Sequence, residues 1–228
     1  MDMPVNAVNF SLESIDLGKI SQMVEDYGPV ISIIKDSWGK ETLKEILDGK
    51  VFVADEIINT AIKNSLDKKS DSPVKEVKVT DRKNGKMYID AVLENGQKIE
   101  IGGVIKNFTY KDDKALMVFR VQKHELPGHG ISSWLFSMLS LSMVQQLTGT
   151  VNITDNLPVD IGVDGNTVSV DFSEVLLNSV LGQKEVEGER LIKMLEIKGA
   201  KPKEKGLELE VDLHISEKLK NRVKDILN

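Results

Sequence analysis

Between residues 126 and 154 the chain carries no Asp, Glu, Lys or Arg, and His129 is its one titratable side chain. At the centre of this stretch, over residues 131–147, lies ISSWLFSMLSLSMVQQL. Pro127, Gly128 and Gly130 precede that run and Gly149 follows it, so helix breakers frame an uninterrupted helical segment. Helical spacing sorts its apolar residues into two walls. One holds Ile131, Trp134, Leu135 and Met138; the other holds Phe136, Leu139, Met143 and Leu147. Ser133, Ser137 and Ser140 form a narrow stripe between them, small enough for a sheet to approach closely. A helix apolar on most sides has to be buried on most sides. With five serines and two glutamines, and at the short limit for a bilayer crossing, the run reads as a buried helix rather than a membrane span.

What precedes the helix changes period from 3.6 to 2. Residues 12–48 read as helical in pieces: Leu17, Ile20, Met23, Val24 and Tyr27 share a face, Gly28 and Pro29 break it, and Leu43, Ile46 and Leu47 form a last piece before Gly49. That segment reads as a packing helix or terminal arm. An extended run at 51–54 enters a helix at Asp55 and Glu56, acids that suit its positive end. Strands then follow at 74–80, 86–94, 97–110 and 115–123, joined at Asn84-Gly85, Asn95-Gly96 and Asp112-Asp113. This is an antiparallel meander, and Gly102-Gly103 inside its third strand predicts a bulge or bend.

After the central helix, short strands are expected at 150–154, 158–163 and 166–172, with Asp164-Gly165 as a hairpin signal. A helix capped by Ser173 spans 174–181, and 189–195 reads equally as helical turn or strand. Leu207, Leu209, Val211, Leu213 and Ile215 alternate with Glu208, Glu210, Asp212 and His214, the pattern of a strand with one wet face. A helix capped by Ser216 ends the chain.

The 228 residues divide into a helical segment, 1–50, and an α+β portion, 51–228, built on the 131–147 helix and read together as one domain. A formal net charge of −6, with no cluster of Lys and Arg, argues against nucleic acid as a partner. The absence of cysteine excludes disulfides, thiolate metal sites and a Cys nucleophile. No basic segment followed by a long apolar one opens the chain, so it reads as cytoplasmic as it stands and as extracytoplasmic if a signal segment has been removed.

Catalytic patterns are missing. His124 and His129 lack the spacing of a zinc-binding helix and a third ligand. Asp160, Asp164 and Asp171 sit on or beside a strand pair, where acids on a solvent face are the ordinary case. No serine lies in a nucleophile elbow, and Gly128-His-Gly130 lacks phosphate-loop spacing. Neither a cofactor nor a metal is expected.

One order of elements carries a resemblance. An extended run enters a helix over 51–66, a meander of long bent strands follows over 74–123, an uncharged helix comes next, and an alternating strand closes the set near 215. This resembles bacterial tubular lipid-binding proteins, related in architecture to the bactericidal permeability-increasing protein group. The resemblance implies a curved antiparallel sheet wrapped around a long apolar helix, with a groove for lipid between them. The expected function is then non-enzymatic binding of a lipid or other long apolar ligand, lined by Trp134, Phe136, Met138 and Met143. The alternative is an interaction or assembly module whose apolar helix is buried by a partner or a second copy. The partners left open are an apolar small molecule or lipid, a membrane surface contacted peripherally, and a homo-oligomer.

Overall fold

The computed structural model describes residues 33–34, 37–67, 72–81, 84–123, 126–148, 159–186 and 189–227. The helical face at 17–27, the strand at 150–154 and His124 lie outside the described residues. Over the described residues the fold is α+β, with a large open antiparallel sheet of nine strands and several helices.

The meander forms as its period and turns dictate. β2 (Val74–Asp81), β3 (Met87–Leu93), β4 (Lys98–Lys111) and β5 (Lys114–Lys123) pair in sequence order. All three glycine-marked turns join adjacent antiparallel strands, with Gly85, Gly96 and Gly165 at positive φ. Two of the loops are longer than two residues and the third is shifted by one position. Asp81 pairs with Met87, so Asn84-Gly85 sits in a longer loop. Leu93 N–H donates to the Gln97 carbonyl, so Asn95-Gly96 belongs to a three-residue loop. Asp164 pairs with Thr167, which shifts that turn to Gly165-Asn166. The tight two-residue turn with both residues at positive φ is instead Asp112-Asp113, at 50° and 62°. Aspartate tolerates this region through local side-chain hydrogen bonding.

β4 is where the sheet branches. One edge pairs with β5. The other pairs with β3 over its first half and, at Tyr110, with β10 (Leu195–Lys203). From β10 the sheet continues to β11 (Gly206–Leu213) and β1 (Lys50–Ala54); from β5 it continues to β7 (Thr167–Asp171) and β6 (Asp160–Asp164). The expected irregularity at Gly102-Gly103 is present as a register shift against β5. A Cβ on Gly103 would lie 2.3 Å from the Arg120 carbonyl oxygen, so the close strand approach requires glycine there.

Helices pack on the sheet and on one another. α1 (Lys40–Leu47) packs on β1 and β11. α2 (Asp55–Leu66) lies against β2 and against α3 (His129–Thr148), the uncharged helix. Asn59 of α2 acts as a strand residue in side-chain form: its Nδ2 donates to the Val79 carbonyl at 2.9 Å, and Val79 N–H donates to its Oδ1 at 2.7 Å. The outer edge of β2 is thereby occupied at that residue, which protects it from pairing with another chain. Burial raises the pKa of Glu45 on α1, while the Phe52 backbone N–H on the outer edge of β1 bonds its carboxylate and opposes the shift.

The second half departs from expectation in two places. The helix expected over 174–181 is two short ones, α4 (Ser173–Leu177) and α5 (Val180–Gln183). Ser173 does not cap it; its hydroxyl donates to Asp171 and accepts from Ala115 N–H. Residues 189–195 are both strand and turn: β8 (Glu185–Val186) pairs with β9 (Glu189–Arg190), and a 3-10 turn, Leu191–Met194, leads into β10. α6 (Glu217–Leu227) closes the chain with Ser216 Oγ accepting from Leu219 N–H, as its sequence predicts.

Two aromatic rings on the solvent side of the sheet cover glycines. Phe52 lies over Gly206, and Tyr88 lies over its register partner Gly102, with the Lys123 ammonium 5.7 Å from the Tyr88 ring centre. Ring-over-glycine pairing restores the packing a strand glycine lacks. Phe52, although 41% exposed, therefore has an intramolecular role.

Candidate functional site

Four hydroxyls of α3 are satisfied within the helix, while its buried Gln146 Oε1 has no hydrogen-bond partner among the described residues. Ser137, Ser140 and Thr148 donate to the carbonyls of Ser133, Phe136 and Val144, each four residues back, and Ser142 donates to Leu139. The Trp38 indole N–H donates to the Leu147 carbonyl at 2.6 Å, which satisfies one of the acceptors a helix C-terminus leaves open. Ser140 is in the small-residue stripe, and its hydroxyl meets the Met117 sulfur of β5 at 3.6 Å. The sheet therefore touches that stripe at Ser140.

The four candidate lining residues divide between opposite faces of α3. Phe136 and Met143 face the contiguous core with Leu139 and Leu147, and all four are buried. Phe136 packs on Phe119 of β5 with ring centres 5.1 Å apart. Trp134 and Met138 fall on the other face, beside Leu141. Trp134 is half-buried at the margin of the core. Met138 and Leu141 are each only 2% exposed, yet among the described residues the contiguous core does not extend to them. Helical geometry brings Trp134 and Met138 together and separates them from Phe136 and Met143. No described helix is long and apolar enough to cross a membrane.

The acids considered for catalysis have structural surroundings. Asp171 accepts from both the backbone N–H and the hydroxyl of Ser173. Asp164 ends β6 beside the turn, and Asp160 is exposed opposite Asp171.

A charged face that sequence reading reached only in part lies on β10 and β11. Asp212 and His214 belong to the alternating wet face of the closing strand, but Glu196 comes from β10, which no sequence signal had marked as a strand. The ligand-type atoms of Glu196, Asp212 and His214 lie within 4.8 Å of one another. His214 Nε2 is 2.8 Å from Glu196 Oε2, Lys111 is 3.3 Å from Glu196, and Lys198 and Lys220 are 2.9 Å and 3.8 Å from Asp212. The lattice continues through Lys201–Glu210 and through Lys50 and Lys203 on Glu208. A metal ion here would have to displace ammonium groups already on both carboxylates, so the arrangement is a charge lattice on a sheet face.

The hydrogen bond from His214, then Lys111, lowers the pKa of Glu196 against its partial desolvation; Lys198 does the same for Asp212. A carboxylate whose folded pKa is depressed adds stability above its unfolded value, and that stability is lost as pH falls through the folded value. Glu196→Gln is therefore expected to flatten the loss of stability below pH 4.5, the ordinary value for Glu196. Solvent screening keeps the effect under about 1 kcal/mol at neutral pH. Urea unfolding at several pH values measures it, and an unchanged acid limb would mean that the pairs carry no net stability.

No protein-family model, curated protein or solved structure matches this chain.

Proposed function

We propose that the protein binds a lipid or other long apolar ligand without catalysis, along the face of α3 that carries Trp134, Met138 and Leu141. The observation that supports this reading is the pair Met138 and Leu141, shielded from water yet, among the described residues, outside the contiguous core. Methionine adapts to irregular apolar shapes, which suits a site for flexible chains. In this reading the bent sheet wraps the uncharged helix as in tubular lipid-binding proteins. Phe136 and Met143 then form the packed back of the wall, and half-buried Trp134 with buried Met138 the side that meets the ligand. The absence of Asp, Glu, Lys and Arg from α3 fits an apolar occupant, and Ser137 and Ser140, bonded to helix carbonyls, need no ligand partner.

Trp134 supplies the test. In a Trp38→Phe variant it is the sole indole, at a stability cost of about 1 kcal/mol for the lost bond to Leu147. Titration with oleate or with phosphatidylcholine vesicles is expected to give a saturable shift in its emission, and native mass spectrometry of the full chain to show retained lipid. If neither appears with any lipid class, ligand binding is wrong. Concentration-dependent self-association in sedimentation would then favour the interaction module.

A further inference from the structure

The solvent side of the sheet carries charge in two different ways. On β10 and β11 neighbouring acids and lysines close onto one another, as in Lys198–Asp212 and Lys203–Glu208. On β2, β3 and β4 they stand apart. Register places Glu76, Val92 and Lys98 in one row across the three strands, and Lys78, Asp90 and Glu100 in the next. Strand alternation puts all six on the same side of the sheet, with the five ionisable residues exposed and Val92 half-buried between them. Together they line a concavity of about 540 Å³. Among the described residues Glu76, Lys78, Asp90 and Lys98 enter no ion pair, although Lys78 and Asp90 are register partners. Glu100 is not one of these open groups. The rim thus offers two carboxylates and two ammonium groups to solvent around an apolar floor.

We propose that this concavity binds a short apolar peptide with both termini free. The open charges on its rim balance, and that balance selects the ligand. A lone anion would meet Glu76 and Asp90, and a lone cation would meet Lys78 and Lys98. An uncharged apolar molecule would cover four charges and pair none of them, which costs free energy. A molecule with an ammonium at one end, a carboxylate at the other and an apolar body between them pairs both kinds and covers Val92. Spacing sets its length. Neighbouring strands lie about 4.8 Å apart, so Glu76 and Lys98, two strands from each other, stand about 10 Å apart at the backbone. About three extended residues span that distance. A single amino acid carries both charges on one carbon and falls short. The volume lies within the range of about 300–1,000 Å³ usual for small-ligand sites. No residue of α3 takes part, so the site stands independently of the proposed apolar one.

The full chain is titrated by calorimetry with the tripeptide Ala-Leu-Ala, with its N-acetylated and C-amidated forms, and with leucine. Saturable binding of the free tripeptide is expected. Blocking either terminus removes one charge-assisted contact and should weaken binding about tenfold or more. Leucine should bind more weakly than the tripeptide. Glu76→Gln and Lys98→Gln, both at exposed positions, then fix the orientation. In Glu76→Gln the free and acetylated peptides should bind alike, and in Lys98→Gln the free and amidated ones. No saturable binding of Ala-Leu-Ala, or equal binding of its free and blocked forms by the parent chain, overturns the proposal without recourse to any variant. Parent-like binding by both variants overturns it as well, since the termini would then be held elsewhere.

Discussion

Leu139→Asp is expected to unfold the protein or to remove most of its stability. Leu139 is 1% exposed and lies in the contiguous core, on the face of α3 that also presents Phe136, Met143 and Leu147. Aspartate there would lose the packing of a leucine and would place a carboxylate where no described cation approaches. A buried unpaired charge belongs to the mechanisms that cost more than about 4 kcal/mol, against a total stability of about 5–15 kcal/mol. Two comparisons isolate the cause. Leu139→Met keeps volume and polarity and is expected to cost less than about 1.5 kcal/mol. Val180→Asp, at a position 49% exposed, is expected to stay within about 0.5 kcal/mol. Urea unfolding by circular dichroism measures all three. A small effect of Leu139→Asp would mean that α3 is not the core of the fold.

The order of elements was legible where period and turn chemistry agreed. The four meander strands alternate in sequence and are joined at residues that accept positive φ, so their pairing follows from local signals. The central helix was legible because breakers frame a run without charge. β10 was not. Its alternation is broken by a register shift between Ile197 and Gly199, and it contains Pro202, which normally argues against an interior strand. Among the described residues the pairing of β10 with β4 is recorded only at Ile197, so Pro202 interrupts no recorded bridge to β4. Losing β10 from the reading also lost Glu196, and with it half of the charged face. Asn59 gave no signal either: nothing local distinguishes an amide on a helix that faces water from one that clamps a strand edge.

The same limit applies to the site residues. Helical spacing was enough to place Trp134 with Met138 and Phe136 with Met143, but not to say which pair the sheet would cover. That choice is a matter of tertiary packing: β5 meets α3 at Ser140 through Met117 and at Phe136 through Phe119. The pairing of Asp113 with Lys193 was further out of reach, because it joins a turn to residues some eighty positions on, in a segment whose sequence read equally as helical turn or strand.

Gly103→Ala is expected to show how tightly that sheet side is fixed to the helix. The added Cβ would lie 2.3 Å from the Arg120 carbonyl oxygen and 2.5 Å from the Phe119 ring. The first contact is backbone, which can move only by loosening the pairing of β4 with β5. The second presses on the ring that packs against Phe136 of α3 at 5.1 Å. Overpacking in a well-filled core costs about 1–3 kcal/mol, and two constrained contacts put this change toward the upper end. Gly102→Ala, one residue earlier, meets the Tyr88 ring edge at 2.9 Å and the Lys123 Cβ at 3.3 Å, with no backbone atom among its nearest contacts. Tyr88 is half-buried and can swing aside, so the cost there should be smaller. Gly128→Ala meets nothing within 4 Å and serves as the neutral reference. The order Gly103 worse than Gly102 worse than Gly128 in thermal unfolding is the expected result. Equal effects at 102 and 103 would mean that β4 and β5 do not approach closely at Gly103, and that the coupling from sheet to helix runs elsewhere.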